Sequence, residues 1–198
     1  MSIDVLSYLQ ENWIELVAMV LSILGVLLTA REKTINWPVN IAACIMYGYI
    51  FLTAKIYGDA CLQVFFIVFS FYGWYEWTKV SDKKKEVFIS KTPKRSLLII
   101  LFITIPGTLI AGFVLKKYTD STIPFLDGFT TILSLIATWM ATHKHIENWL
   151  IWILADIIYI AEYIIKNLYP TALLYFIFTL MAVYGYFEWK KLQKKLSA

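Results

Sequence analysis

Seven long apolar segments follow one another along the chain, and each has about the length that one helix needs to cross a bilayer. A membrane-spanning helix requires about 20 mainly apolar residues. The segments are Trp13–Ala30, Ile35–Ala54, Ala60–Trp77, Ser96–Leu115, Ile123–Thr142, Trp149–Ile165 and Ala172–Trp189. A membrane β-barrel would instead show shorter segments of alternating polarity. The pattern predicts an all-α membrane protein with seven transmembrane helices.

The composition supports a membrane as the solvent. Hydrophobic residues make up 60% of the chain and charged residues 16%, with a mean hydropathy of +0.66. An ordinary soluble domain carries about 25% charged residues. The first apolar segment follows an acidic start, without a basic region before it, so we expect it to be retained rather than cleaved. Cys44 and Cys61 lack metal-ligand spacing, so neither a disulfide framework nor a metal site is expected. We also expect no cofactor.

Lysine and arginine are distributed unequally between the two sides of the predicted bundle. One side carries fourteen of these residues, and the other carries four: Lys55, Lys116, Lys117 and Lys166. Basic residues favour the cytoplasmic side of a membrane. We therefore predict a protein of the bacterial inner membrane with its N-terminus outside and its C-terminus in the cytoplasm. Because the basic residues flank helices, we expect membrane lipid as a partner and no nucleic acid.

The sequence repeats itself at an offset of 112 positions without a gap. The matching pairs include Asn36 and Asn148, Trp37 and Trp149, Tyr47 and Tyr159, Gly73 and Gly185, and Trp77 and Trp189. We predict a three-helix repeat at 1–78, a cytoplasmic loop and connector helix at 79–122, and a second repeat with a basic tail at 123–198. An odd number of spans in each unit, with one connector, makes the repeats parallel and places a substrate site near the bilayer midplane.

Several motifs resemble the PnuC family of bacterial vitamin transporters. They are Asn36–Asn40, Tyr57–Asp59 with Leu62-Gln63, Tyr72–Trp77 and Glu147–Trp152. The resemblance implies a 3+1+3 arrangement of helices similar to a full-length SWEET transporter. It also implies uptake of an unphosphorylated vitamin by facilitated diffusion, with a cytoplasmic vitamin kinase trapping the product. Family members carry nicotinamide riboside, thiamine or riboflavin.

One position departs from the nicotinamide riboside carriers. The resemblance leads us to expect an asparagine eight residues after Asn148, and this chain has Asp156 there. We therefore favour thiamine as the substrate, with nicotinamide riboside as the alternative. Both vitamins carry a positive charge, so the charge of Asp156 alone does not separate them.

The sixth helix presents one polar and aromatic face. Residues three and four apart share a helix face, which groups Asn148, Trp152, Asp156, Tyr159 and Tyr163. Aromatic rings attract cations over their faces, and a carboxylate adds opposite charge. We interpret the stripe as the lining of a site for a cationic aromatic ligand. An interhelical hydrogen bond and a proton-coupling role are the alternatives for Asp156.

The first repeat supplies an uncharged counterpart, from which Asn40 and Tyr47 are predicted to bind substrate. The resemblance implies substrate hydrogen bonding at Gln63 too, and contact between helices is the alternative there; its counterpart Tyr175 is a further candidate. Glu15 and Asp127 are predicted to line the outer entrance or act in gating, with helix capping as the alternative.

Other polar residues receive structural interpretations. We expect Trp77 and Trp189 to anchor the protein at the membrane interface, and His143 and His145 to be ordinary surface residues.

No phosphate loop, hydrolase elbow or zinc-protease motif occurs in the sequence, so the protein is predicted not to be an enzyme. An intramembrane enzyme using Asp156 and Glu162 is the second hypothesis, although six residues place them on opposed sides of a helix. A structural or assembly protein is the third. Homo-oligomerisation is left open by the sequence.

Overall fold

Seven helices make up the part of the chain that the computed structural model describes, residues 13–53, 57–82, 89–165 and 169–196. They are α1 (Trp13–Ala30), α2 (Asn36–Thr53), α3 (Tyr57–Asp82), α4 (Lys94–Tyr118), α5 (Pro124–Thr142), α6 (Asn148–Ile165) and α7 (Tyr169–Leu196). By length and composition, five are apolar enough to cross a membrane: α1, α4, α5, α6 and Thr171–Lys195 of α7. The predicted all-α fold with seven helices is confirmed.

Two helices extend further than the apolar pattern predicted. Helix α3 runs past Trp77 to Asp82, and α7 runs past Trp189 to Leu196. Neither extension contains glycine or proline, and that of α7 consists mostly of lysine, leucine and glutamine, which are good helix formers. The polar extensions therefore continue the helices beyond the apolar part of the bundle.

Six helices form a closed ring through their contacts with neighbours. Going round the ring, α1 contacts α2, α2 contacts α3, α3 contacts α5, α5 contacts α6, α6 contacts α7, and α7 contacts α1. Helix α4 packs against α5 outside this ring. The ring consists of the helices assigned to the two predicted repeats, and α4, the predicted connector, lies outside it.

Glycines allow α4 and α5 to approach closely. A Cβ atom added at Gly128 of α5 would lie 2.8 Å from the backbone nitrogen of Gly112 in α4. Small residues of this kind are enriched where membrane helices contact each other. The rest of α4 is largely exposed and apolar, with Phe102 at 81% and Ile110 at 65% exposure. Such a surface fits contact with lipid rather than water.

The likeness to full-length SWEET transporters and the bounds of the three predicted segments remain predictions.

Candidate functional site

Equivalent positions of the two repeats contact each other at one end of the bundle. The Nζ atom of Lys144 lies 2.7 Å from Oε2 of Glu32, and these residues are 112 positions apart. The indole rings of Trp77 and Trp189, separated by the same offset, have their centroids 6.4 Å apart. Equivalent positions can meet in this way on an axis of rotation. Both contacts fit a pseudo-twofold axis that relates the two predicted repeats and passes between these pairs.

Four tryptophans, which we call the tryptophan cluster, pack around this axis. Trp37 meets Trp77 edge to face with centroids 5.2 Å apart, and Trp149 meets Trp189 in the same way at 5.4 Å. Both pairs have an interplanar angle of 86°. The two halves thus build the same local structure from the same residues, and together these residues fill the core of this end.

The prediction that Trp77 and Trp189 are interfacial anchors is wrong. Their exposed fractions are 5% and 0%. Nε1 of Trp77 donates a hydrogen bond of 3.1 Å to the carbonyl oxygen of Thr142, and Nε1 of Trp189 donates one of 3.2 Å to that of Thr29. A carbonyl of the opposite half therefore accepts a hydrogen bond from each indole nitrogen, so both rings can be buried without an unpaired polar atom.

A short segment after α3 covers the same end of the bundle. The backbone nitrogen of Ser90 donates to the carbonyl of Lys144 at 3.1 Å, and that of Ile146 donates to the carbonyl of Ser90 at 3.0 Å. The Oγ atom of Ser90 also lies 3.1 Å from Nδ1 of His145. We call the end formed by residues 31–35, 89–92 and 143–147 the basic end.

His143 and His145 are half-buried and hydrogen-bonded rather than ordinary surface residues. Burial lowers the pKa of His145, and the nearby charge of His143 lowers it further, while Glu147 acts in the opposite direction. His145 is therefore biased towards its neutral form. Sequence reasoning missed His145 because its partner Ser90 lies 55 positions away along the chain.

The stripe on α6 divides into two parts. Asn148 is fully buried, and its Nδ2 atom donates to the carbonyl of His145 at 2.7 Å, so it lies within the closed basic end. Its equivalent, Asn36, makes the same bond to Lys33 at 2.8 Å. Trp152, one turn further, is half-buried and packs against the hydrophobic core that contains the tryptophan cluster. This part of the stripe belongs to the packing of the basic end, and its contact with substrate remains a prediction.

The second part of the stripe forms a group of aromatic rings beside a carboxylate. The rings of Tyr159 and Tyr163 stack with centroids 6.2 Å apart, and Tyr175 of α7 lies 4.6 Å and 5.2 Å from them. We call these three residues the tyrosine cluster. Asp156 is 3% exposed and lies about one turn before Tyr159 on the same face of α6. No ion pair to Asp156 forms within the described part of the chain.

The first repeat has a related but uncharged face. Tyr47 stacks on Phe51 with centroids 5.7 Å apart and an interplanar angle of 22°, close to the 23° of the equivalent pair Tyr159 and Tyr163. The position equivalent to Asp156 is Cys44, which is half-buried. The predicted site is therefore asymmetric in charge although its scaffold is repeated.

Asn40 and Gln63, the remaining predicted substrate-binding residues of this repeat, both contact glycines. The side chain of Asn40 packs against Gly25 of α1. The Cβ atom of Gln63 lies 3.7 Å from where a Cβ atom of Gly48 would be. Both side chains are half-buried. Their binding roles remain predictions.

The two predicted entrance residues lie in the first turns of their helices. Glu15 is exposed at the start of α1. Asp127 lies at the start of α5 and accepts a hydrogen bond from the hydroxyl of Ser121. The position of Asp127 fits the capping alternative, because helix N-termini favour negative charge. An entrance or gating role remains a prediction for both.

Comparison with known proteins decides the family. The family model for the nicotinamide mononucleotide transporter matches residues 12–191. The chain belongs to this family. The PnuC transporters are among its relatives, so the predicted resemblance is confirmed.

Individual members of the family align along most of the chain. The nicotinamide riboside transporter PnuC of Escherichia coli (strain K12) is 27% identical over 203 residues, which cover 90% of this chain and 85% of that protein. The riboflavin/roseoflavin transporter RibM of Streptomyces davaonensis is 22% identical and covers 89% of this chain and 84% of its own length. The crystal structure of the vitamin B3 transporter PnuC matches with a TM-score of 0.78 and 27% identity, over 96% of this chain and 86% of that one.

These three relatives, the two PnuC proteins and RibM, are all named as transporters. The chain is a membrane transporter of the PnuC family, as predicted, and the hypothesis of an intramembrane enzyme has no support from its relatives.

Proposed function

We propose that this protein carries an unphosphorylated, positively charged vitamin across the bacterial inner membrane by facilitated diffusion. Nicotinamide riboside is the first candidate, because PnuC relatives at 27% identity are named nicotinamide riboside transporters. This order differs from the preference for thiamine that Asp156 suggested from the sequence. Thiamine stays the second candidate, because Asp156 replaces the asparagine that the family resemblance leads us to expect.

The observation that carries this proposal is the buried carboxylate of Asp156 beside the tyrosine cluster. A carboxylate at the bilayer centre costs about 2.5–3.5 kcal/mol on insertion scales, and such residues usually mark a transport pathway. Asp156 has no cationic partner among the described residues. A pyridinium or thiazolium ring would supply the missing positive charge and could stack on tyrosine faces.

The repeated scaffold suggests how the site is opened and closed. The tryptophan cluster and the Glu32–Lys144 salt bridge join the two halves at the basic end, so the halves must separate there before a ligand can leave in that direction. We propose this end as the cytoplasmic gate. Rocking of the halves about their shared axis would then alternate access, as in other carriers with parallel repeats.

The proposal also covers the orientation of the protein in the membrane, the trapping of the vitamin and the oligomeric state. The basic residues favour a cytoplasmic C-terminus, and a reporter fused to the C-terminus tests this orientation. A cytoplasmic vitamin kinase would trap the product, which predicts that accumulation in cells depends on kinase activity. Homo-oligomerisation is tested by the mass of the purified protein in detergent.

A binding panel tests the substrate. Purified protein should bind nicotinamide riboside or thiamine, and a phosphorylated vitamin should bind at least about tenfold more weakly because its negative charge opposes Asp156. If none of nicotinamide riboside, thiamine and riboflavin binds or crosses vesicle membranes, the carrier proposal is wrong. Transport that requires a proton or sodium gradient would contradict facilitated diffusion.

A pair of matched variants tests Asp156. Asp156→Asn removes the buried charge, whereas Asp120→Asn makes the same change at an exposed residue beyond α4. We expect Asp156→Asn to weaken binding of the cationic vitamin by about tenfold or more, and Asp120→Asn to leave it unchanged. Equal affinities for the two variants would assign Asp156 a structural role instead.

A further inference from the structure

A cleft of about 290 Å³ lies at the basic end of the bundle. It is bounded by the segment 89–92, the start of α6 and the last turns of α7. The residues that give it its chemistry are Lys91, Glu147, Leu150, Tyr186, Lys190 and Gln193. None of the residues proposed to bind the vitamin lines this cleft, so it calls for a separate explanation.

The walls of the cleft are fixed by hydrogen bonds. The Oε2 atom of Glu147 accepts bonds from the backbone nitrogen and the hydroxyl of Thr92, at 2.8 Å and 2.7 Å. Nε2 of Gln193 donates to the carbonyl of Ile89 at 3.3 Å. These bonds join the segment 89–92 to Glu147, just before α6, on one side and to α7 on the other, so the cleft is formed before any ligand arrives.

The charge of the cleft favours an anion. Lys91 and Lys190 both contribute to its lining, and both are exposed. The Lys190 ammonium lies 5.6 Å from the centre of the Tyr186 ring, which holds it at the cleft. Glu147 is the acidic residue of the lining, and one of its oxygens is already occupied by the two bonds from Thr92. With two ammonium groups and one carboxylate in its lining, the cleft has a net positive charge.

The position of the cleft identifies the class of anion. Leu150, at its edge, is 47% exposed, and Leu154 and Ile157 continue the same face of α6 at 46% and 52% exposure. These residues are four and three positions apart and form one apolar stripe leading away from the basic end. A ligand with an anionic head and an apolar tail would contact both the lysines and this stripe.

We propose that the cleft binds the phosphate headgroup of an anionic phospholipid, with an acyl chain lying along the Leu150–Ile157 face. Ammonium groups bind phosphate oxygens through charge-assisted hydrogen bonds, and basic pockets between membrane helices on the cytoplasmic side are suited to such headgroups. This inference does not depend on which vitamin is carried.

Matched double variants test the proposal. Lys91→Gln with Lys190→Gln removes both cleft lysines, and Lys94→Gln with Lys191→Gln removes two exposed lysines at the same end that do not line the cleft. The two proteins have the same net charge. Native mass spectrometry of each, titrated with phosphatidylglycerol or phosphatidylcholine, measures lipid affinity. We expect the cleft variant to bind phosphatidylglycerol about tenfold more weakly than the control variant.

Three outcomes would overturn the proposal. The first is equal phosphatidylglycerol affinity for the two double variants, and the second is equal affinity of the unmodified protein for the two lipids. The third is displacement of phosphatidylglycerol by millimolar inorganic phosphate, which would indicate a site for free phosphate. Equal thermal unfolding midpoints of the two variants in phosphatidylcholine alone would show that a difference in affinity does not arise from misfolding.

Discussion

Glu32 and Lys144 occupy the same position in the two repeats, and their side chains form a salt bridge of 2.7 Å. Both residues have left-handed backbones, with φ of 54° and 51°. In a symmetric dimer of one three-helix unit, each residue on the axis would meet an identical copy of itself. A chain that contains both repeats can place opposite charges there. The salt bridge can therefore form across the axis because the two units lie in one chain and differ at this position.

Exchange of the two charges tests this relationship. Glu32→Lys or Lys144→Glu alone places like charges on the axis and should lower the unfolding midpoint. The double variant Glu32→Lys/Lys144→Glu should recover most of the loss, with a coupling free energy of about 1 kcal/mol. Lys144 also lies 4.7 Å from the centre of the Trp77 ring. The pseudo-symmetry predicts that a lysine at position 32 would contact the ring of Trp189, as Lys144 contacts that of Trp77.

Thermal unfolding of the four proteins in detergent measures the cycle. Additive losses in the double variant would contradict an interaction across the axis. Faster vitamin exchange in the single variants, with recovery in the double variant, would support a gate at the basic end.

The indole nitrogens of the tryptophan cluster provide a second test. Trp77→Phe or Trp189→Phe retains an aromatic ring but loses the hydrogen bond to the carbonyl of Thr142 or Thr29. We expect each substitution to lower the free energy of unfolding by about 1–3 kcal/mol, because a buried hydrogen bond is lost. The loss should be smaller for Trp189→Phe, since the carbonyl of Thr29 still accepts a bond of 3.0 Å from the backbone nitrogen of Glu32.

The matched controls are Trp37→Phe and Trp149→Phe. The Nε1 atoms of these two residues are buried without a hydrogen-bond partner in the described structure. Their substitution loses part of the ring packing but no hydrogen bond. Equal losses at all four positions, measured by thermal unfolding, would mean that the bonds from Trp77 and Trp189 contribute nothing.

The helices and the family could be predicted from the sequence because both leave local signals. Apolar segments of membrane length gave seven helices, and the α6 stripe correctly grouped Tyr159 with Tyr163. The burial of Trp77 and Trp189 could not be predicted, because their hydrogen-bond acceptors are backbone carbonyls of the opposite repeat. A tryptophan beside charged residues at the end of an apolar segment has the same local sequence whether it faces lipid headgroups or another helix.

Acidic pH should destabilise the basic end through His145. Burial lowers the pKa of this residue, so the folded protein binds its proton less readily than the unfolded chain does. The stabilising contribution is complete above the ordinary histidine pKa of about 6.5 and decreases as the pH falls below it. The unfolding midpoint should therefore decrease between about pH 7 and pH 5, and His145→Gln should reduce this dependence.

His143→Gln is the control for this pH dependence. It should retain most of the effect, because burial of His145 is a larger cause of the lowered pKa than the charge of His143. An unchanged pH dependence in His145→Gln would show that other groups cause it.

Replacing Gly73 or Gly185 by a larger residue should destabilise the protein, because each glycine lies directly against an indole ring. A Cβ atom at either position would lie 2.7 Å from Cε2 of the tryptophan in the preceding helix, Trp37 or Trp149. Such overpacking typically costs about 1–3 kcal/mol. Gly48 is a control within the same bundle, since its nearest contact would be 3.7 Å away, and alanine favours a helix over glycine. We therefore expect similar losses of unfolding free energy in Gly73→Ala and Gly185→Ala and no loss in Gly48→Ala. If neither Gly73→Ala nor Gly185→Ala lowers the free energy of unfolding, the indole rings must be able to move aside. The tryptophan cluster would then be too loosely packed to hold the two halves together.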